Sequence, residues 1–129
     1  MKKIRYHLML IIGFFVTSVL TGCFCDRVEV RPKTLPNATF GTPYFAKIQV
    51  FGGVVIDRSF FYHIKPEKSG LELSPTDFGT EYVSYNDLEV KGTPKVSGII
   101  SIELSGRTYG TMSCRGNKFN KTYTIKVDE

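Results

Sequence analysis

Short segments in which apolar and polar side chains alternate dominate the chain from residue 24 onward, and this feature most constrains its fold. The alternation has the period of a β-strand with one face buried and the other in water. Gly, Pro, Ser, Thr and Asn recur between these segments, roughly every ten residues, as turn signals. No helical periodicity is visible in the same region. In a chain of 129 residues, this pattern predicts a single all-β domain, an antiparallel β-sandwich.

The alternation also predicts which side chains face the core and which face solvent. One segment is ambiguous: residues 107–120 fit either an additional strand through 109–114 or a long loop. Three phenylalanines fall on the polar side of their strands, where they would form a patch for a partner if exposed together, and loops or sheet edges could equally cover them. These are Phe45, Phe51 and Phe61. The predicted inward residues are Val28 and Val30; Tyr44, Ala46, Ile48 and Val50; Phe60, Tyr62 and Ile64; Leu88 and Val90; Ile100, Ile102 and Leu104; and Tyr123, Ile125 and Val127.

Several motifs along these strands follow one another in the order seen in a known family. They are Leu35-Pro36, Ala38, Gly41, Pro43-Tyr44 and Gly52-Gly53, then Gly70–Leu73, Gly92-Thr93-Pro94, Gly98 and the closing segment TYTIKV. Together they resemble the bacterial Ig-like, cadherin-like domain family. The family's usual tryptophan after the paired glycines is absent, with Tyr62 near that place, and residues 79–85 are longer than the family pattern. The resemblance spans residues 35–127 and implies an immunoglobulin-like β-sandwich over residues 35–129.

The first 23 residues have the layout of an export signal. MKKIRYH carries three positive charges, and the apolar run from Leu8 to Leu20 is shorter than the roughly 20 residues of a membrane-spanning helix. The run ends in Leu20-Thr21-Gly22-Cys23, which resembles the lipobox of bacterial lipoproteins. The resemblance implies that residues 1–22 are a cleaved signal peptide. Residues 23–34 then form the lipidated N-terminus and first strand. A plain signal peptide or an uncleaved anchor are the alternatives.

In that family the cysteine carries a diacylglyceryl group on its sulfur and an acyl chain such as palmitate on its new amine. The resemblance therefore implies that Cys23 is the lipidation site. One acyl chain anchors a protein only reversibly, whereas two or three hold it stably on a membrane. Phe24 follows Cys23, where an Asp would resemble an inner-membrane retention signal. We therefore expect a bacterial envelope protein on the periplasmic face of the outer membrane rather than on the inner membrane.

Lipidation of Cys23 would leave Cys25 and Cys114 as the two remaining cysteines of the chain. An exported protein meets an oxidising compartment, where such a pair tends to form a disulfide. The sequence thus predicts a Cys25–Cys114 bridge, with free or intermolecular thiols as the alternatives. The spacing lacks the paired ligands of a zinc site, so we predict no metal.

Charge and side-chain chemistry exclude several functions. Of the 17 basic residues, three lie within residues 1–22, so 14 basic side chains face 12 acidic ones and the net charge falls from +5 to +2. This balance gives no reason to expect a nucleic-acid partner. His63 is the one histidine after residue 22, and no nucleophile motif accompanies it. The oxygen atoms of Asn86-Asp87-x-Glu89 could supply a few ligands to calcium, but solvated carboxylates are the expected interpretation. We predict no enzyme activity and no cofactor.

The sequence therefore predicts a membrane-anchored envelope lipoprotein with a non-catalytic Ig-like module, which binds another envelope protein or surface component or serves a structural role. A second hypothesis is a periplasmic inhibitor of lysozyme-type enzymes. It rests on Ser105-Gly106-x-x-Tyr109, which is similar to a short segment of the lipoprotein lysozyme inhibitors. The aromatic and lysine residues that follow in that family are absent here.

Overall fold

A computed structural model describes residues 2–19, 25 and 27–129 of the chain. Helix α1 (Lys2–Val19) comes first, and every side chain of residues 3–12 is exposed. Within the described residues, no helix combines the length and apolar character that crossing a membrane requires. The predicted lipobox, Leu20-Thr21-Gly22-Cys23, lies outside the described residues, and so does the predicted boundary between residues 22 and 23.

Among the described residues, eight strands follow α1, together with one 3₁₀ turn (Asp57–Ser59). The predicted all-β class is confirmed for this part of the chain. The strands are β1 (Glu29–Arg31), β2 (Ala38–Thr39), β3 (Tyr44–Phe51), β4 (Phe61–Lys65), β5 (Leu71–Pro75), β6 (Asp87–Gly92), β7 (Gly98–Arg107) and β8 (Lys118–Asp128).

The strands form two four-stranded sheets. The first has the order β1-β3-β6-β5 and is antiparallel throughout, and the second has the order β2-β8-β7-β4. One pairing departs from the predicted antiparallel arrangement, because the short β2 runs parallel to β8. The reason lies in the route of the chain: after β1 it leaves the first sheet and joins the edge of the second sheet in the direction of the last strand.

The two sheets share one hydrophobic core. In β3, β6, β7 and β8 every side chain predicted to face inward is buried, as the alternation requires. Complete burial of a Val, Leu or Ile side chain contributes roughly 1.5–3 kcal/mol. The fully covered centre consists of Ile48, Leu88, Val90, Ile100, Ile102, Leu104, Tyr123 and Ile125.

Strand β4 follows the predicted pattern only partly. Phe61 faces out and is 67% exposed, as predicted, but Tyr62 is 41% exposed although it was expected in the core. Strand β4 lies at the edge of its sheet and pairs with β7. Among the described residues, β4 has a neighbouring strand on one side, whereas a central strand has one on each side. The inward side chains of β4 are therefore less shielded from solvent than those of central strands.

The ambiguous segment 107–120 is resolved as a loop followed by a strand. Residues 108–117 connect β7 to β8, and β8 begins at Lys118. The long strand pairing between β7 and β8 resumes directly across this loop, with Arg107 opposite Lys118. The two strands thus form a hairpin whose loop projects from one end of the sandwich.

Candidate functional site

One end of the sandwich collects the connections 52–60, 76–86 and 108–117 together with residues 25 and 27–28, and we call it the disulfide end. The pairing registers bring these connections together, since β3 ends where β1 and β6 begin, and β7 ends where β4 and β8 begin. The opposite end, with connections 40–43, 66–70 and 93–97, is called the far end.

A disulfide ties the N-terminal segment to this end. The sulfur atoms of Cys25 and Cys114 lie 1.98 Å apart, and the two Cα atoms are 5.6 Å apart. This arrangement fits the pairing predicted from the sequence. It joins the chain just before β1 to the loop between β7 and β8, 89 residues later. The predicted lipidation site, Cys23, precedes Cys25 by two positions and lies outside the described residues.

The N-terminal segment also packs closely against the connection after β3. Gly52 has a φ angle of +95°, a value that side-chain-bearing residues rarely adopt. A Cβ atom added there would lie 2.2 Å from the carbonyl oxygen of Arg27. Glycine at this position therefore lets the backbone at residues 27–28 cross directly over the turn.

Hydrogen bonds within the loop hold residues 108–117 in shape. The backbone N–H of Thr111 donates to the carbonyl oxygen of Cys114 at 2.7 Å, and that of Thr108 donates to the carbonyl oxygen of Asn117 at 2.9 Å. The hydroxyl oxygen of Thr108 in turn accepts from the N–H of Asn117 at 3.1 Å. Beside this loop, the N–H of Tyr109 donates to the carbonyl oxygen of Val54 at 2.9 Å. The two connections are thus joined through the backbone.

Asn86 braces the third connection against the turn after β3. Its side-chain nitrogen donates to the carbonyl oxygens of Val50 at 3.0 Å and Gly53 at 2.6 Å, and its side-chain oxygen accepts from the N–H of Val55 at 3.0 Å. In the sequence, Asn86 stood out as a possible oxygen ligand beside Asp87. The structure instead uses its amide to satisfy the backbone of a turn, and the pattern Asn86-Asp87-x-Glu89 gave no hint of this role.

Large apolar side chains are exposed at the disulfide end. Tyr82 is 88% exposed, and Met112 at the tip of the β7–β8 loop is fully exposed. At or beside the far end the comparable residues are Phe40, Phe45 and Ile99. The exposed set in the connections of the disulfide end and at the strand ends that border them is Phe51, Val54, Phe61, Phe78, Tyr82, Val83, Tyr109 and Met112.

The three phenylalanines predicted on polar faces do not form a single patch. All three are exposed, but Phe45 and Phe51 lie six residues apart on β3, which is about 20 Å along a strand. Phe61 lies on the other sheet. Two of them, Phe51 and Phe61, border the disulfide end and belong to its wider set of exposed apolar residues.

The remaining candidate residues are dispersed. His63 is half-buried on β4 opposite Glu103, and among the described residues no three His, Cys, Asp or Glu side chains come together as metal ligands would. The segment Ser105-Gly106-x-x-Tyr109 is divided between the end of β7 and the following loop. Gly106 is buried there against the ring of Phe119, whereas Tyr109 is exposed.

Comparisons with protein-family models, with curated proteins and with solved structures find no match to this chain.

Proposed function

We propose that the chain is a bacterial envelope lipoprotein, acylated on Cys23 and carrying a non-catalytic Ig-like module. The observation that carries the proposal is the order of features in residues 1–23: a basic start, a short apolar run and Leu20-Thr21-Gly22-Cys23. A second or third acyl chain on one cysteine makes membrane binding stable without a spanning helix.

The exposure of α1 supports removal of the leader. Apolar residues 8–12 of α1 all lie in solvent, and a run of this kind is normally buried in protein, inserted in a membrane or cleaved. The core of the sandwich is formed by buried residues between Leu35 and Val127. Cleavage before Cys23 would therefore leave the core intact.

The Cys25–Cys114 pair supports export to an oxidising compartment. Disulfides persist in secreted and periplasmic proteins and are rare in the reducing cytoplasm. Phe24 after Cys23 supports sorting to the periplasmic face of the outer membrane, as the sequence motif implies.

Strand order supports an Ig-like module. Immunoglobulin domains pair strands A, B, E and D in one sheet and C, F and G in the other. Taking β1, β3, β4, β5, β6, β7 and β8 as A to G, the sheets here have the orders A-B-E-D and G-F-C, with the short β2 beside G. The module lacks the disulfide between strands B and F that antibody domains carry, because its cysteines lie outside those strands.

A binding role is supported by the exposed edge of the second sheet. Strand β4 is the edge strand of this sheet among the described residues, and it presents Phe61 and Tyr62 to solvent. An extended segment of another envelope protein could add to such an edge as a further strand. Crosslinking from position 61 should therefore give a defined adduct in intact cells. The same crosslinker at exposed Lys47, on central strand β3, is the control.

The anchor is tested by replacing Cys23 with Ala in the full chain and labelling growing cells with radioactive palmitate. We expect the label to disappear and the protein either to leave the membrane fraction or to remain an unprocessed precursor. Cys25→Ser is the matched control, because it removes a cysteine two positions away and should keep the label. Unchanged labelling and membrane association of the Cys23→Ala variant would refute the proposal.

A further inference from the structure

We propose that the disulfide end lies directly on the bilayer that holds the lipid, with the exposed apolar side chains of its loops inserted in the interfacial layer. This inference rests on acylation of Cys23. It adds an orientation for the module and a second contact with the membrane, made by the protein itself.

The length of the tether places this end at the membrane. Cys23 and Cys25 are separated by two peptide units, which span at most about 7 Å between Cα atoms. The Cα atom of Cys114 is 5.6 Å from that of Cys25. The Cα atom of Cys114, in the β7–β8 loop, therefore lies within about 13 Å of that of Cys23. The far end is separated from this loop by the length of β8, which is about 35 Å for 11 residues.

A disulfide and hydrogen bonds link the three connections of the disulfide end to the tether. The disulfide fixes the loop 108–117 to the tether, and a backbone hydrogen bond between Tyr109 and Val54 joins the loop to connection 52–60. The Asn86 amide then joins connection 52–60 to connection 76–86. All three connections therefore follow the position of the anchor as one unit.

The side chains at this end suit the interfacial layer. Tyr rings combine an apolar body with a polar tip and are enriched where hydrocarbon meets headgroups. Tyr82 and Tyr109 are exposed on two of the connections, and Phe78, Val83, Val54 and Met112 are further exposed apolar side chains of the same three connections. Six exposed apolar or aromatic side chains at one end of a domain are typical of a surface that contacts a membrane or a partner, since burying them is favourable.

Charge at this end excludes a mainly electrostatic attachment. Residues 25, 27–28, 52–60, 76–86 and 108–117 contain three arginines and three acidic residues. This balance gives no attraction for anionic headgroups. The proposal therefore predicts a contact made by apolar insertion, which is insensitive to salt and to the proportion of anionic lipid.

The chain contains no tryptophan, so a single introduced tryptophan reports one position without background. The test uses the full, lipidated protein in phosphatidylcholine vesicles that contain a fraction of bromine-labelled phosphatidylcholine, which quenches tryptophan by contact. Met112→Trp and Tyr82→Trp probe two connections of the disulfide end. Phe40→Trp probes the far end and is the matched control, because Phe40 is also an exposed aromatic residue in a connection.

We expect quenching at positions 112 and 82 at least twofold stronger than at position 40, with a blue-shifted emission that 1 M NaCl leaves unchanged. Quenching equal to that at position 40, in protein whose acyl mass on Cys23 is verified, would overturn the inference and leave the proposed function intact. A blue-shifted, quencher-protected tryptophan at position 112 that appears only when another envelope protein is added to the vesicles would also overturn the inference. Absence of the acyl mass would instead refute the proposed function, and with it the inference.

Discussion

Replacing Asn86 with Ala should weaken the fold more than is usual for a half-buried residue in a connection between strands. The side chain makes three hydrogen bonds, to the carbonyl oxygens of Val50 and Gly53 and from the N–H of Val55. Each such bond contributes about 0.5–1.5 kcal/mol net, and leaving a buried group unpaired costs about 1–3 kcal/mol. Val55 is 2% exposed, so its N–H would find little water as a substitute.

Because two of these bonds are partly buried and the third is exposed, we expect a loss of about 2–4 kcal/mol in the free energy of unfolding. With a typical urea slope of about 1–3 kcal/mol per molar for a small domain, the midpoint should fall by roughly 0.7–4 M. The assay is urea denaturation followed by circular dichroism in the β region, with m compared between variants to verify that the transition stays two-state.

Asn120→Ala is the matched control, because this residue is an exposed asparagine on β8 whose truncation should change stability by less than about 0.5 kcal/mol. A loss below 0.5 kcal/mol for Asn86→Ala, equal to that of the control, would refute the reasoning. It would show that the turn after β3 is held by its backbone alone. The same result would weaken the premise that the connections of the disulfide end move as one unit.

Three further outcomes are expected. Ile102→Ala should cost about 2–5 kcal/mol because its side chain is 0% exposed between the sheets, whereas Ile99→Ala, 65% exposed three residues earlier, should cost under about 0.5 kcal/mol, both measured by urea denaturation. Burial raises the pKa of Tyr123 to about 12, above its value near 10 in the unfolded chain, so stability should fall as the pH rises from about 10 to 12; Tyr123→Phe should reduce this fall, and an unchanged pH profile would contradict the burial argument. Replacing both Cys25 and Cys114 with Ser should cost up to about 4–5 kcal/mol from the entropy of the 89-residue loop, and reductant should then lower the unfolding midpoint of the parent but leave that of the double variant unchanged.

The core was predictable because it depends on a local pattern. A strand with one buried face must alternate, so Tyr44 to Val50 and Ile100 to Leu104 identify their inward side chains without any knowledge of their neighbours. The same rule was less accurate at β4, where Tyr62 is exposed. Alternation specifies a face but does not specify whether another strand covers it, and an edge position is a property of the sheet.

The cysteine pair was predictable for a different reason. Once Cys23 is assigned to the lipid, two cysteines remain, and the expected compartment favours their pairing. The structure adds which parts of the fold they join. No sequence pattern shows that Cys114 lies in a hairpin loop beside the turn after β3. That proximity depends on how the sheet that contains β3 packs on the sheet that contains β4, β7 and β8.

The amino-acid sequence by itself determined the class of the fold and the inward faces of its central strands, since each depends on neighbouring residues or on residue type. Tertiary structure decided the order of strands within the sheets, the bracing role of Asn86 and the gathering of Val54, Tyr82 and Met112 at the end that holds the disulfide. These residues lie up to 58 positions apart in the chain. Their proximity follows from long-range backbone pairing, which no local pattern records.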